Sequence, residues 1–201
     1  MRDGHRRCLA SLLAGRETVP AVLVEEPSEL EAVARPLIVN VQREDLTALE
    51  KGAALLRLAR LVAARLARDA GRADAAPVSL EALLGDGGAT GPLEEDEASP
   101  SRASGSRALA AEVRERVCAM VGLQRRSYYR LLALNRLCAQ ARGTGRHLTE
   151  NQLRPIVGLP PEEQAEVARF AVKRGLSSKE VATLAGVARS GDRDAVKRVM
   201  A

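Results

Sequence analysis

The helix-capping box is the feature that most constrains how this chain can fold. In four segments, beginning at Ser28, Thr47, Thr149 and Ser177, a Ser or Thr precedes a Glu or Gln by three residues. This pattern satisfies two backbone N–H groups that a helix start otherwise leaves free, so each segment predicts a helix. Aromatic residues are nearly absent, with no Trp, one Phe and two Tyr. A core of Leu, Val and Ala favours packed helices over a β-sandwich, so the sequence predicts a mainly α-helical protein.

The first part of the chain, residues 1–46, predicts a small α/β unit. A short helix from Arg6 to Ala14 is expected to end at Gly15. The apolar run from Val19 to Val24 is rich in β-branched residues and predicts a strand. A second helix follows this strand, and Pro36 is expected to break or kink it because proline removes a backbone donor.

Composition divides the chain into three segments. Residues 1–70 combine the α/β unit with a long helix that ends near Arg68. Residues 71–107 form an insertion whose later part, GDGGATGPLEEDEASPSRASGS, lacks an apolar period and predicts a disordered linker. Residues 108–201 predict an all-helical domain. The arginines of the long helix are expected to face solvent, and its buried face is expected to hold Leu46, Leu49, Ala53, Leu56 and Leu66.

A helix-turn-helix is predicted between Val117 and Leu134. Gly122 suits the turn, Leu123 suits the corner, and a second helix from about Arg125 to Leu137 begins with polar and basic residues. An ordinary antiparallel helix pair with a basic surface is the alternative. In the helix-turn-helix interpretation, the candidate DNA contacts are Gln124, Arg125, Arg126, Ser127, Tyr128 and Arg130.

The distribution of charge is compatible with a nucleic-acid partner. The chain carries a net charge of +5, and the window 108–148 alone holds eight Arg against two Glu, an excess of six positive charges. Phosphate backbones attract such local excesses. A mild positive balance permits this partner without requiring it.

The cysteines and the hydropathy pattern bear on the compartment. Cys8, Cys118 and Cys138 are far apart and odd in number, which fits neither a zinc site nor a disulfide framework. We expect them to be small buried residues in a reducing compartment. The sequence shows no apolar run of transmembrane length and no export signal, so a cytoplasmic protein without a membrane partner is expected.

Two short motifs resemble those of ParB-type chromosome and plasmid partition proteins. The segment from Asn40 to Asp45, NVQRED, resembles the family's ENxQRED box, with Val39 in the position of the usual Glu. The segment from Gly4 to Arg7, GHRR, resembles the family's GERR box, with His5 in place of Glu. The predicted helix-turn-helix and the helices after it are similar in order to the family's central DNA-binding domain.

The resemblance implies a nucleoid-associated, sequence-specific protein that binds double-stranded DNA in chromosome or plasmid segregation. It also implies a homodimer and a ParA-type ATPase as a partner. A CTP-dependent DNA clamp with CTPase activity and a helix-turn-helix transcriptional regulator are alternative functions. The strands that precede the GERR box in the family and its C-terminal dimerisation domain have no counterpart in this sequence. The N-terminal α/β unit is therefore interpreted as a remnant of the family's nucleotide-binding domain.

CTP and Mg²⁺ are the cofactors that the resemblance implies. The two boxes hold them in the family, and Asn40 would help to bind the metal. No catalytic residue is assigned. The nucleotide-binding residues carried over from the family are Gly4, Arg6, Arg7, Asn40, Gln42 and Arg43.

Overall fold

The computed structural model describes residues 4–21, 34–36, 38, 39, 41, 46–71, 78–85 and 104–190. No β-strand occurs within these ranges, and the prediction of a mainly helical protein is confirmed. Short 3₁₀ turns at Leu134–Arg136 and Gly145–His147 follow the fifth and sixth helices. The helices are α1 (His5–Leu13), α2 (Ala48–Asp69), α3 (Leu80–Leu84), α4 (Ser104–Val121), α5 (Arg125–Ala133), α6 (Ala139–Thr144), α7 (Glu150–Leu153), α8 (Pro161–Arg174) and α9 (Ser178–Arg189).

The predicted α/β remnant at the N-terminus is not supported. Val19–Ala21 have no strand conformation, and residues 22–24 of the predicted strand lie outside the described residues. An apolar run becomes a strand only beside another strand that completes its hydrogen bonds, and the described part of the chain offers none. Pro36 is itself helical, and the residue after it lies outside the described residues, so the expected break or kink stays a prediction.

Local capping explains where the helices begin. Three of the four predicted capping boxes are present, at Thr47, Thr149 and Ser177, while Ser28 lies outside the described residues. At Thr47 the backbone N–H donates to the Glu50 carboxylate at 2.9 Å, and the Thr47 hydroxyl oxygen accepts from the Glu50 N–H at 3.3 Å. These contacts are set within one helical turn, which is why the sequence predicts them well.

The long helix α2 packs against α4 and α5. Of the five residues predicted to line its buried face, only Leu66 is buried, and the other four are partly exposed. The buried face is centred instead on Gly52, Leu55, Leu58, Ala59, Val62, Ala63 and Leu66. The correction has a steric reason: a Cβ at Gly52 would lie 2.6 Å from the Leu131 carbonyl oxygen, so the glycine marks the closest approach of α2 to α5.

A short helix, α3, occupies part of the predicted insertion. The Ser79 hydroxyl accepts from the Ala82 N–H at 3.1 Å and begins this helix. Leu83 and Leu84 are only 1% and 2% exposed and belong to the same core as α2 and α4. The predicted boundary at residue 70 therefore falls between helices that share one core, while residues 86–103 of the linker lie outside the described residues.

A buried glutamine joins the C-terminal helices. Gln164 of α8 is 3% exposed. Its side-chain carbonyl accepts from the Cys138 N–H at 2.7 Å, and its amide donates to the carbonyls of Leu159 at 2.9 Å and Val157 at 3.3 Å. Because a buried amide is stable only when hydrogen-bonded, these contacts fix the start of α6 against the loop before α8.

The three cysteines are free and partly exposed, so the expectation of buried cysteines is met only in part. The Cys138 sulfur accepts from the Ala141 N–H at 3.4 Å and begins α6. Burial raises the pKa of the Cys118 thiol. None of the helices in the described ranges has the length and apolar character needed to cross a membrane.

Candidate nucleic-acid interface

Helices α4 and α5 are joined by a tight turn of three residues. Gly122 adopts a left-handed conformation with φ 74°, which a residue without a Cβ adopts readily. The N–H groups of Gly122 and Leu123 both donate to the Cys118 carbonyl, at 2.9 and 3.1 Å. Leu123 packs against the core, and Gln124 leads into α5. The turn predicted at Gly122 is confirmed.

The buried face of α5 determines which side chains point outward. Tyr128, Leu131 and Leu132 are buried. Residues on the opposite side of a helix repeat at intervals of three or four, and Arg126 and Arg130 occupy such positions. Arg126 is exposed and Arg130 is partly exposed, so α5 presents a basic face away from the core.

Tyr128 cannot be one of the predicted DNA contacts, because its side chain is completely buried. The side chain is 0% exposed, and its hydroxyl finds no hydrogen-bond partner among the described residues. Burial, followed by the neighbouring Tyr129 and Cys118, raises its pKa far above the usual range for tyrosine. Successive residues on a helix point about 100° apart, and Tyr129 is only partly buried at the edge of the core.

Tyr129 connects α4 to the first turn of α5. The Arg114 guanidinium donates to the Tyr129 hydroxyl at 2.9 Å. The guanidinium carbons of Arg114 and Arg125 each lie 5.9 Å from the ring centroid. That distance is near the outer limit for a cation–π contact. Because Arg114 meets the ring at its hydroxyl end, the hydrogen bond is its main contact, whereas Arg125 depends on the ring itself.

Two arginines of the basic window are engaged by other residues of the chain. Arg142 donates to the carbonyls of Leu137 at 2.7 Å and Asn135 at 2.5 Å. Arg116 pairs with Glu112 at 2.9 Å, four residues away on α4. By contrast, the structure records no hydrogen bond or ion pair between another described residue and the guanidinium of Arg126, Arg130 or Arg146.

The first turn of α5 is an electropositive helix start. The Gln124 side chain makes no capping hydrogen bond, and the first turn contains no acidic residue. The first backbone N–H groups of a helix have no partner within the helix and carry a partial positive charge. Together with the exposed side chains of Arg125 and Arg126, this turn can attract an anion such as a phosphate group. Ser127 is partly buried beside them.

The residues carried over for nucleotide binding are only partly described. Gly4 begins α1 in a left-handed conformation, with φ 85°, and its carbonyl accepts from the Cys8 N–H at 2.8 Å. Arg6 and Arg7 are exposed. Asn40, Gln42 and Arg43 lie outside the described residues. Within the described ranges no group of three or more His, Cys, Asp or Glu is arranged to hold a metal.

Four residues of structural weight escape prediction from the sequence. Gly52 and Asn135 join α2 to α5, and Arg114 and Tyr129 join α4 to α5. Only one signal points to any of them: adjacent residues on a helix point about 100° apart, which favours one of the two tyrosines for the core. The others depend on contacts between distant segments, which no local pattern reveals.

Over the described residues, the helical core and the basic first turn of α5 define a mainly α-helical protein with an exposed electropositive helix start. No protein-family model matches the chain. The chain is 51% identical to a probable chromosome-partitioning protein ParB of Pseudomonas putida over 55 residues, which are 27% of this chain and 19% of that protein. It is 48% identical to a probable chromosome-partitioning protein ParB of Xylella fastidiosa strain 9a5c over 84 residues, which are 40% of this chain and 27% of that protein.

These similarities confirm the resemblance to the ParB-type family over the matched part of the chain. The Temecula1 strain of Xylella fastidiosa has a similar relative, 46% identical over 84 residues. The matched region spans less than a third of the length of each of these relatives.

Proposed function

We propose that the chain is a sequence-specific DNA-binding protein of ParB type that acts in chromosome or plasmid segregation. In this proposal α4 and α5 form a helix-turn-helix, and the first turn of α5 enters the major groove. One observation carries the proposal: the first turn of α5 presents Gln124, Arg125 and Arg126 to solvent with no acidic residue beside them. The names of the relatives support a role in partition.

The packing of α5 supports a division of roles among its polar residues. Buried Tyr128, Leu131 and Leu132 anchor the helix, as a recognition helix requires if its exposed face is to keep one orientation. Arg126 and Arg130 would contact phosphates, since neither is engaged by a described residue. Arg125 would contact a base edge, with Gln124 and Ser127 beside it.

The partners and location belong to the same proposal. Double-stranded DNA is the direct ligand, so the protein would associate with the nucleoid in the cytoplasm. A homodimer would bind two half-sites related by symmetry. A ParA-type ATPase is the partner that the family resemblance implies. The proposal does not assign it a binding surface on the residues described above.

Selection from a random-sequence duplex library tests the proposal. The wild-type chain is expected to enrich one sequence, and the enriched duplex is expected to bind far more tightly than a scrambled duplex at the same salt concentration. Failure to enrich any sequence would rule out sequence-specific binding by this chain. Genome-wide occupancy then separates two roles: broad spreading from one locus supports partition, whereas isolated promoter sites favour a transcriptional regulator.

A nucleotide-dependent clamp is a second candidate function, and the start of α1 favours it. Gly4 leaves the first N–H groups of α1 without a side-chain cap, and Arg6 and Arg7 are exposed beside them. Such a helix start can attract phosphate. Calorimetric titration with CTP and Mg²⁺ tests this function: binding that is lost in Arg6→Ala and Arg7→Ala supports it, and no heat of binding with or without DNA opposes it.

A further inference from the structure

The ring of Tyr129 supports one arginine of α5 and accepts a hydrogen bond from another arginine on α4. The Arg125 guanidinium carbon lies 5.9 Å from the ring centroid, one helical turn before Tyr129. Arg114, on α4, donates to the hydroxyl at 2.9 Å. Arg114 also pairs with the Glu115 carboxylate at 3.7 Å, so its position does not depend on the tyrosine alone.

The ring itself is held in place from within the core. Tyr128, which is completely buried, meets Tyr129 edge to face, with centroids 5.4 Å apart and an interplanar angle of 78°. This is a favoured arrangement for aromatic pairs. The Arg114 side chain is only 15% exposed, so its hydrogen bond to the hydroxyl is shielded from water. The support under Arg125 is therefore more rigid than a surface side chain usually provides.

A guanidinium held near an aromatic ring keeps its donors available. The ring limits the freedom of the long side chain, while the N–H groups of the guanidinium remain able to bind a partner. A fixed edge of this kind matches the N7 and O6 acceptors of guanine in the major groove. Arg126 and Arg130, which have no aromatic support among the described residues, suit phosphate contacts that tolerate several orientations.

We propose that Tyr129 is a positioning residue that holds Arg125 for recognition of a guanine. This inference rests on the proposed function, because it requires that α5 enter the major groove. In this inference Arg125 discriminates between bases, and the Tyr129 ring fixes the orientation of the Arg125 guanidinium. The hydroxyl contributes less, since its hydrogen bond is to Arg114 and not to Arg125.

Variants of Tyr129 separate the ring from the hydroxyl. Tyr129→Phe keeps the ring and loses the hydrogen bond from Arg114, whereas Tyr129→Leu loses both. The probes are the duplex that the wild-type chain enriches from a random library and a set of duplexes in which each G·C pair is replaced in turn by A·T. The measured quantity is the affinity ratio between the enriched duplex and each replacement, at several salt concentrations.

At one G·C pair, we expect the affinity ratio of Tyr129→Leu to be about tenfold lower than that of the wild type. Its ratios at the other pairs and its salt dependence are expected to match the wild type. Tyr129→Phe should retain the wild-type ratio, and Arg125→Lys should lose it at the same pair because lysine has no planar fork. Tyr129→Gln, which also lacks the ring, replaces Tyr129→Leu if circular dichroism shows that the leucine variant is unfolded.

Three results would overturn the inference. Full discrimination in the ringless variant, or an equal loss at every base pair, would show that Tyr129 does not position Arg125. Loss of discrimination at different pairs in the Tyr129 and Arg125 variants would do the same. In each of these three cases the wild-type chain still binds DNA sequence-specifically. A wild-type chain that enriches no sequence overturns the proposed function and the inference together.

Discussion

The side-chain amide of Asn135 donates a hydrogen bond of 2.9 Å to the main-chain carbonyl of Gly52, 83 residues earlier in the chain. The same amide donates to the Leu132 carbonyl at 3.0 Å. A Cβ at residue 52 would lie only 2.6 Å from the Leu131 carbonyl oxygen. The glycine therefore sets the distance between α2 and α5, and α5 carries the candidate interface.

Replacing Gly52 by alanine is expected to destabilise the protein. Alanine favours helix by about 1 kcal/mol over glycine, but the clash with the Leu131 backbone at 2.6 Å cannot be relieved by rotating a side chain. Overpacking of this kind costs about 1–3 kcal/mol, so the free energy of unfolding in urea should fall. Gly186→Ala on α9 is the matched control, since its Cβ meets nothing within 4 Å. A stabilised Gly52→Ala protein would contradict the proposed close approach.

Loss of the buried amide at Gln164 should cost more than loss of a surface glutamine. In Gln164→Leu the Cys138 N–H and the Leu159 carbonyl lose partners at 2.7 and 2.9 Å. Unsatisfied buried groups of this kind cost about 2–4 kcal/mol together. Gln140→Leu on the exposed side of α6 should change stability by less than about 0.5 kcal/mol. Equal effects in urea denaturation would show that the Gln164 contacts add nothing to stability.

Tyr128→Phe tests the inward orientation of that tyrosine. The variant removes a buried hydroxyl that has no hydrogen-bond partner among the described residues, so the protein is expected to become more stable by about 1 kcal/mol. DNA affinity should not change, because a fully buried side chain cannot contact a ligand. Weaker DNA binding with unchanged stability would indicate that Tyr128 contacts DNA.

Arg126 and Arg130 are expected to act through charge alone. Each change to alanine should weaken binding to all duplexes alike, and each should reduce the slope of log affinity against log salt by about 1. Arg169→Ala removes the same charge from the exposed side of α8 and should leave that slope unchanged. A change in sequence preference, rather than in salt dependence, would argue against phosphate contacts at these positions.

The cap of α9 should make stability depend on pH in acid. A hydrogen bond from the Ser177 side chain, and then one from its backbone N–H, lowers the pKa of Glu180 in the folded protein. A lowered folded-state pKa means that the contribution is present at neutral pH and is lost as pH falls through the folded pKa. Ser177→Ala should reduce this loss, as measured by urea midpoints at neutral and acidic pH. Thr183→Ala, whose hydroxyl donates to the Lys179 carbonyl, should not alter the pH dependence.

Local chemistry explains which parts of the fold can be predicted. The capping boxes at Thr47, Thr149 and Ser177 and the turn at Gly122 all have the predicted roles. Each of these signals acts within about one turn of helix. The short helix α3 was not predicted, because its five residues are too few to show a helical period.

Which face of a helix is buried depends on contacts with other helices rather than on local sequence signals. On α2 both sides carry enough Leu and Ala to suit a core, and contact with α4 and α5 selects the side centred on Gly52. The predicted strand is absent from its described part, Val19–Ala21, for a related reason, since a strand depends on a neighbour that the described residues do not supply.

The sequence by itself determined the helical class, the helix starts and the basic character of the first turn of α5. These follow from backbone capping, from composition and from the order of charges along a short segment. Only the tertiary structure decided that Tyr128 is buried while Tyr129 contacts Arg114 and Arg125. Adjacent residues on a helix must point apart, but packing against the rest of the chain selects which of them faces the core.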